Sequence, residues 1–183
     1  MLKSGANLIK LNFNNSLLER TICDVLFSKN LLFTKDENEK YFTLIKISED
    51  VSTLSIKMNN ENINLKKPMN FDLFFQGLHQ LLLKYKIDLN DIIFFPFQQK
   101  LIFKNKKLFL NDIHNKLFCY LYLYKDEGID KFFIYKKIWP QDKEIFINKL
   151  DSHLSNVKNE IKTNLSYNFD YSSKKKLIKL IIN

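Results

Sequence analysis

Three glycines and three prolines are all that 183 residues contain. So few glycines leave no Gly-rich loop, which excludes the nucleotide-binding motifs that need close backbone approach to a phosphate. Cysteine is equally sparse. Cys23 and Cys119 stand alone among apolar residues, without CxxC or histidine spacing, and read as buried reduced thiols rather than a zinc site or a disulfide. His79, His114 and His153 lie far apart and none belongs to an HExxH or CxxH pattern. The carboxylates are scattered, mostly beside lysines in turns. No catalytic residue, metal or cofactor is therefore expected, and the chain does not read as an enzyme. No apolar run approaches the roughly 18 to 20 residues that span a bilayer. The opening MLKSGANLIKLNF lacks the apolar region of a secretory signal, so the expected compartment is the cytoplasm and no membrane partner is expected.

Apolar residues and lysine are abundant. Hydrophobic side chains make up 45% of the chain and aromatics 14%, enough for a folded core. The length allows one large or two small domains. Lysine far outnumbers arginine while Asn, Ile and Phe are plentiful, a pattern that a low-GC coding bias also produces, so single lysines say little. The net charge of +9 points to an acidic partner such as nucleic acid. The first 86 residues hold 12 basic and nine acidic side chains, a net of +3, and the remainder 17 and 11, a net of +6. The excess therefore falls mainly in the second half.

Residues 8–13, 31–34, 41–47 and 51–57 read as strands, 17–28 and 70–85 as helices, and 59–64 as a polar loop. Residues 92–97 and the runs 100–104 and 107–110, turning at Asn105-Lys106, open a second block. Three helices follow, at 111–124, 130–139 and 142–164, the second stopped by Pro140. Strands at 167–171 and 177–182, joined by SSKKK, end the chain. The fold class is α+β, with an α/β domain over 1–86 and a second domain over 87–183. A hairpin, three helices and a lysine-tipped hairpin is the order of a winged helix-turn-helix.

The third of those helices decides the function. Ile147, Leu150, Leu154, Val157 and Ile161 recur every three or four residues and form one apolar stripe at about 100° per residue. The opposite side carries Asn148, Lys149, Ser152, Ser155, Asn156 and Asn159, groups able to donate and accept hydrogen bonds. By geometry alone this is a solvated face or one that enters a nucleic-acid groove.

Its neighbours carry a resemblance. Leu110-Asn111-Asp112 matches a helix start of Leu-Thr before an acid. DKFFIYKKIWP, from Asp130, is similar to Ser-Arg-Glu-Glu-Leu-Leu-x-x-Val-Trp, with Trp139 at the Trp position. LDSHLSNVKNEI, from Leu150, is similar to Val-Asp-Val-His-Ile-Ser-Arg-Leu-Arg-Lys-Lys-Ile, with Asp151, His153 and Ser155 identical. Residues 91–183 thus resemble the effector domain of OmpR/PhoB-type response regulators. The resemblance implies a phosphorylation-independent transcriptional regulator whose helix 143–164 lies in the major groove. Asn148, Lys149, Ser152 and Asn156 would face base edges, and His153 and Lys158 flanking phosphates. Ser155, Asn159 and Lys162 complete that face, and Lys174, Lys175 and Lys176 form a wing on the backbone. The implied partners are double-stranded DNA, a second copy of the chain and RNA polymerase.

The departures also carry meaning. Asn156 and Lys158 replace the family's arginines and Glu160 a basic residue, so base readout is weakened or moved towards A·T pairs. The chain ends in LIKLIIN rather than the family's Gly-Val-Gly-Tyr run. In the first half, LKKPMNFDLFFQGLHQLL from Leu65 resembles the end of a receiver domain, where Lys-Pro closes a strand. A receiver also needs an acidic pair after its first strand, where Asn14-Asn15 stand, and an acceptor Asp, near which only Glu49-Asp50 is found. The expectation is a degenerate receiver-like domain that takes no phosphoryl group. A protein-interaction adaptor with a winged-helix fold is the alternative function. Binding to structured RNA is a third, for which the strands offer no aromatic stacking platform.

Overall fold

The computed structural model describes residues 9–28, 33–34, 39–174 and 176–181. The chain divides into two compact units, Met1–Tyr85 and Lys86–Asn183. Both mix helix and strand.

The first unit contains strands β1 (Ile9–Phe13), β2 (Thr43–Glu49), β3 (Thr53–Met58) and β4 (Glu61–Lys66), with helices α1 (Ser16–Ser28) and α2 (Phe71–Lys84). They form one sheet in the order β1-β2-β3-β4. Period-two alternation sets its faces. Ile45, Ile47, Leu54, Ile56 and Met58 are buried with Leu78 and Leu81 of α2. Gly77 brings α2 close to the sheet, since a Cβ there would lie 3.4 Å from Ile63 and 3.5 Å from Ile56. Asn70 caps α2 by accepting from the Leu73 amide.

The expected receiver-like architecture does not hold for the described strands. A receiver carries a doubly wound parallel sheet. Here only β1 and β2 run parallel, and β2, β3 and β4 form an antiparallel meander. The reason is the length of the connections, which are too short for a crossover helix. The Asp50 carboxylate accepts from the amides of Ser52 (2.8 Å) and Thr53 (2.7 Å) and from the Thr53 hydroxyl. Those hydrogen bonds, the Thr53 hydroxyl first, hold its pKa at about 2. Met58 pairs with Glu61 across Asn59-Asn60, with Asn59 at φ 52°, a conformation asparagine tolerates. The loop expected over 59–64 is thus a tight turn leading into β4. Of the strand expected over 31–34, Thr34 forms a parallel bridge with Lys10, and residues 31–32 lie outside the described ones.

The three places that the receiver comparison singled out nevertheless meet. The Glu49 carboxylate accepts from Asn15 Nδ2 at 2.8 Å and Lys67 Nζ at 2.7 Å, and Asn14 exchanges two hydrogen bonds with the Glu49 backbone. Both carboxylate oxygens are occupied.

The second unit opens with a four-stranded antiparallel sheet, β5 (Ile87–Leu89), β6 (Ile92–Phe95), β7 (Lys100–Phe103) and β8 (Lys106–Phe109). Pro96 ends β6 in a short 3-10 turn, and the β7–β8 turn is Lys104-Asn105, one residue earlier than expected. Helices α3 (Asp112–Leu123), α4 (Lys131–Ile138) and α5 (Ile147–Leu165) follow, with β9 (Ile129–Asp130) before α4. Strands β10 (Asp170–Lys174) and β11 (Leu177–Ile181) close the unit in a sheet ordered β10-β11-β9. Gly128, at φ +84°, leads into β9, where a Cβ would lie 3.3 Å from the Ile178 carbonyl oxygen. Asn111 and Asp130 cap α3 and α4 by accepting amide hydrogen bonds. Phe94, Phe118 and Phe169 stack at 4.8 and 5.3 Å between centroids, joining the first sheet, α3 and the segment after α5. This order of elements is that of a winged helix-turn-helix.

Candidate nucleic-acid interface

The site is built on α5. Leu150, Leu154, Val157, Ile161 and Leu165 are all at 0% exposure, so the apolar stripe is spent on the core except at Ile147, which is half-buried at the helix start. At about 100° per residue, Asn148, Ser152, Ser155, Asn156, Asn159 and Lys162 share the opposite arc, and all six are exposed. Thr163, also exposed, extends that arc although the sequence reading passed over it. Ser152 donates its hydroxyl to the Asn148 carbonyl at 2.8 Å, leaving its oxygen free to accept. The exposed arc presents amides and hydroxyls with one cation, Lys162.

Helix α5 starts at Ile147, four to five residues later than expected. Residues 139–146 form a non-helical connection, longer than the short turn predicted between the two helices. A polar clamp holds it. Asp142 Oδ2 accepts from the Tyr135 hydroxyl at 2.6 Å and pairs with Lys149 Nζ at 2.8 Å. Lys149 Nζ also lies 4.5 Å from the centroid of the Trp139 ring. The bonds from Lys149 and then Tyr135 depress the Asp142 pKa, and the bond to Asp142 raises that of Lys149. Burial first, then the bond to Asp142, raises the Tyr135 phenol. Lys149 therefore ties the connection to α5 and is not a free reader of base edges.

His153 is likewise held by α3 and the connection. Its ring packs 5.3 Å from Trp139 and 5.7 Å from His114, and its Nδ1 is enclosed without a hydrogen-bond partner. Burial, followed by the charges of His114 and Lys149, lowers its pKa below the ordinary 6.5. A neutral, inward-facing imidazole supplies no charge to a phosphate. Glu160 is likewise turned away from the exposed arc: its carboxylate meets His114 Nδ1 at 2.6 Å. The acid that stood against groove binding in the sequence is a packing partner of α3.

On the other flank, Lys158 Nζ pairs with Asp170 at 2.9 Å, joining α5 to the first wing strand. Lys131 Nζ pairs with Asp151 at 2.8 Å, joining the start of α4 to the same flank. Neither link has a local signal in the sequence, because 12 and 20 residues separate the partners. The wing turn is shorter than SSKKK implied: Lys174 pairs with Leu177 in register, so Ser172, Ser173 and Lys174 belong to the strand. The Lys174 side chain and Lys175 lie outside the described residues. Lys176 is exposed, its carbonyl accepts from the Lys131 amide at 2.8 Å, and its Nζ lies 5.7 Å from the Phe132 ring centroid. The Lys158–Asp170 pair thus ties one flank of α5 to a hairpin whose strand β11 is paired on both sides. Lys136 and Lys143 are exposed cations at the end of α4 and in the connection, which the sequence reading did not select.

Among the described residues, no cluster of His, Cys, Asp and Glu is arranged to hold a metal ion, and no helix is long and apolar enough to cross a membrane. Cys23 and Cys119 are both buried and neither is in a disulfide; burial raises the Cys119 thiol pKa.

No family model and no curated protein matches the chain. Among solved structures, it is similar to the DNA-binding domain of E. coli CadC, with 12% identity and a TM-score of 0.45 over 52% of this chain and 91% of that one.

Proposed function

We propose that the chain binds duplex DNA through α5 and the β10–β11 wing, as a transcriptional regulator of the OmpR/PhoB winged-helix type. The observation that carries the reading is the exposed Asn148–Lys162 arc of α5, free of aliphatic side chains, on a helix tied to the wing by Lys158 and Asp170. Asn148 and Asn156 form bidentate pairs with adenine edges in this reading, while Ser152, Ser155 and Asn159 serve as shorter polar contacts. Lys162 and Lys174–Lys176 neutralise phosphates. Lys149, His153 and Lys158 act indirectly, by holding the connection, α3 and the wing around the helix. Binding as two copies would require half-sites about one helical turn apart. Independence from phosphorylation is supported by Asn14 and Asn15 in place of an acidic pair, and by a Glu49 carboxylate already occupied by Asn15 and Lys67. No catalytic step belongs to this reading.

The second reading, a protein-interaction adaptor, draws on the two ion pairs that take Lys149 and Lys158 out of the positive surface. Fluorescence anisotropy of the full chain on a labelled duplex, between 50 and 200 mM salt, separates the two. Each neutralised phosphate contributes a slope of about −0.9 to log K against log salt. Lys162→Ala and Lys176→Ala should each flatten the slope by about 0.9. Lys149→Met should leave the slope unchanged and lower the melting temperature, because its ammonium holds Asp142. Binding indifferent to salt, or absent, refutes the DNA reading and favours the adaptor.

A further inference from the structure

The first unit's sheet has a second face that its helices do not cover among the described residues. Strand register assigns its side chains: Asn12, Lys46, Lys57 and Asn62 lie in one row across β1 to β4, and Ser48, Ser55 and Asn64 in the next. Lys10 and Lys66 share the face at its two edges by the same alternation. Lys46 and Lys57 stand directly opposite each other in the antiparallel pair, where side chains lie about 5 Å apart and like charges destabilise the sheet. Both are exposed, and among the described residues no strand residue on this face is acidic. The neighbouring amides are organised rather than random: Asn62 Nδ2 donates to Asn64 Oδ1 at 3.1 Å, and the Ser55 hydroxyl donates to Asn64 Oδ1 with Asn62 Oδ1 3.3 Å away. Asn12, Asn14, Lys46, Ser48, Ser55 and Lys57 border a shallow open depression of about 260 Å³.

We propose that this face is a second binding surface for the phosphate backbone of duplex DNA. Facing lysines flanked by Asn and Ser are the side chains that contact phosphate and sugar oxygens, and an anion between the lysines removes their repulsion. A small-molecule site would need an enclosed, largely apolar pocket, and this depression is open and polar. A protein partner would need an apolar or aromatic centre, and Leu44 is the face's one apolar strand residue. Single-stranded nucleic acid would need a row of aromatic rings for stacking, and among the described residues the face is flanked by a single exposed ring, Tyr41, under the Lys10 ammonium at 5.6 Å. Charge complementarity therefore selects the duplex backbone. The inference goes beyond the α5 interface and shares with it only the ligand.

The test titrates the full chain, a Lys46→Gln/Lys57→Gln variant and an α5 variant with Asn148→Asp/Asn156→Asp against a labelled 30-base-pair duplex at several salt concentrations. The sheet variant should flatten the salt slope by roughly 1.8 and weaken binding to all sequences alike, about tenfold at low salt. Its melting temperature should hold or rise, because a like-charge pair has been removed. An unchanged slope and affinity in the sheet variant, with binding lost in the α5 variant, overturns the sheet assignment and leaves α5 standing. Loss confined to the sheet variant supports the assignment and refutes the α5 reading. Capture of poly-glutamate through Lys46 and Lys57, with the duplex slope unchanged, overturns it in favour of an acidic protein. A native chain that binds no duplex overturns both.

Discussion

Changing Asn148 and Asn156 together to aspartate should abolish groove binding while leaving the fold intact. Both side chains are exposed on α5, and neither contributes to the buried stripe. A carboxylate at Asn148, in the first turn, even favours the helix through its macrodipole. At the DNA surface the same change replaces a donor–acceptor pair with a charge facing phosphates, and like-charge juxtaposition across an interface costs several kcal/mol. At 1.4 kcal/mol per decade, the expected loss is roughly 100-fold or more. The milder pair, Asn148→Ala and Asn156→Ala, should cost about 1–3 kcal/mol for each lost base contact and relax sequence preference. Anisotropy titrations give the affinity, and circular dichroism verifies the helix. Near-native affinity in the aspartate variant would show that this arc does not meet DNA.

Leu154→Ala should produce the largest loss of stability. Leu154 sits at the middle of the α5 stripe at 0% exposure, with Leu150, Val157 and Ile161 around it. Truncating a buried leucine removes its transfer free energy and leaves a cavity, together about 2–5 kcal/mol. A domain's whole stability is about 5–15 kcal/mol, so the second unit should unfold at markedly lower urea. Trp139, the sole tryptophan, is 5% exposed within that unit and reports the transition by fluorescence. A shift worth under about 1 kcal/mol would mean that α5 packs more loosely than the stripe implies.

The helices were legible because their periodicity and caps are local. The α5 stripe appears in the sequence as Leu150, Leu154, Val157 and Ile161, and each is fully buried. Asn70, Asn111 and Asp130 announce the starts of α2, α3 and α4. Strand β4 was not legible: ENINLK shows only Ile63 and Leu65 as apolar, and its pairing depends on β3. The antiparallel meander was hidden for a related reason, since a short apolar run does not state which neighbour it pairs with. The parallel sheet of a receiver needs crossovers that the short β2–β3 and β3–β4 connections cannot make.

The candidate site was legible by face but not by role. Helical geometry alone selected Asn148, Lys149, Ser152, Ser155, Asn156 and Asn159, and all but Lys149 are exposed. Lys158 and His153 were assigned from the resemblance, and their roles, like that of Lys149, turn on distant partners. Asp142 engages Lys149, Asp170 engages Lys158, and Trp139 with His114 encloses His153. Glu160 shows the converse, an unfavourable residue on paper whose charge is directed into α3 by a partner 46 residues away.

The most direct measurement is a titration of the ¹⁵N-labelled full chain with a duplex, following each backbone amide by NMR. The account predicts that the shifts cluster on Asn148, Ser152, Ser155, Asn156, Asn159, Lys162 and Lys176, with α3 little moved. Unshifted α5 amides at saturating duplex, or no shifts anywhere, would contradict it.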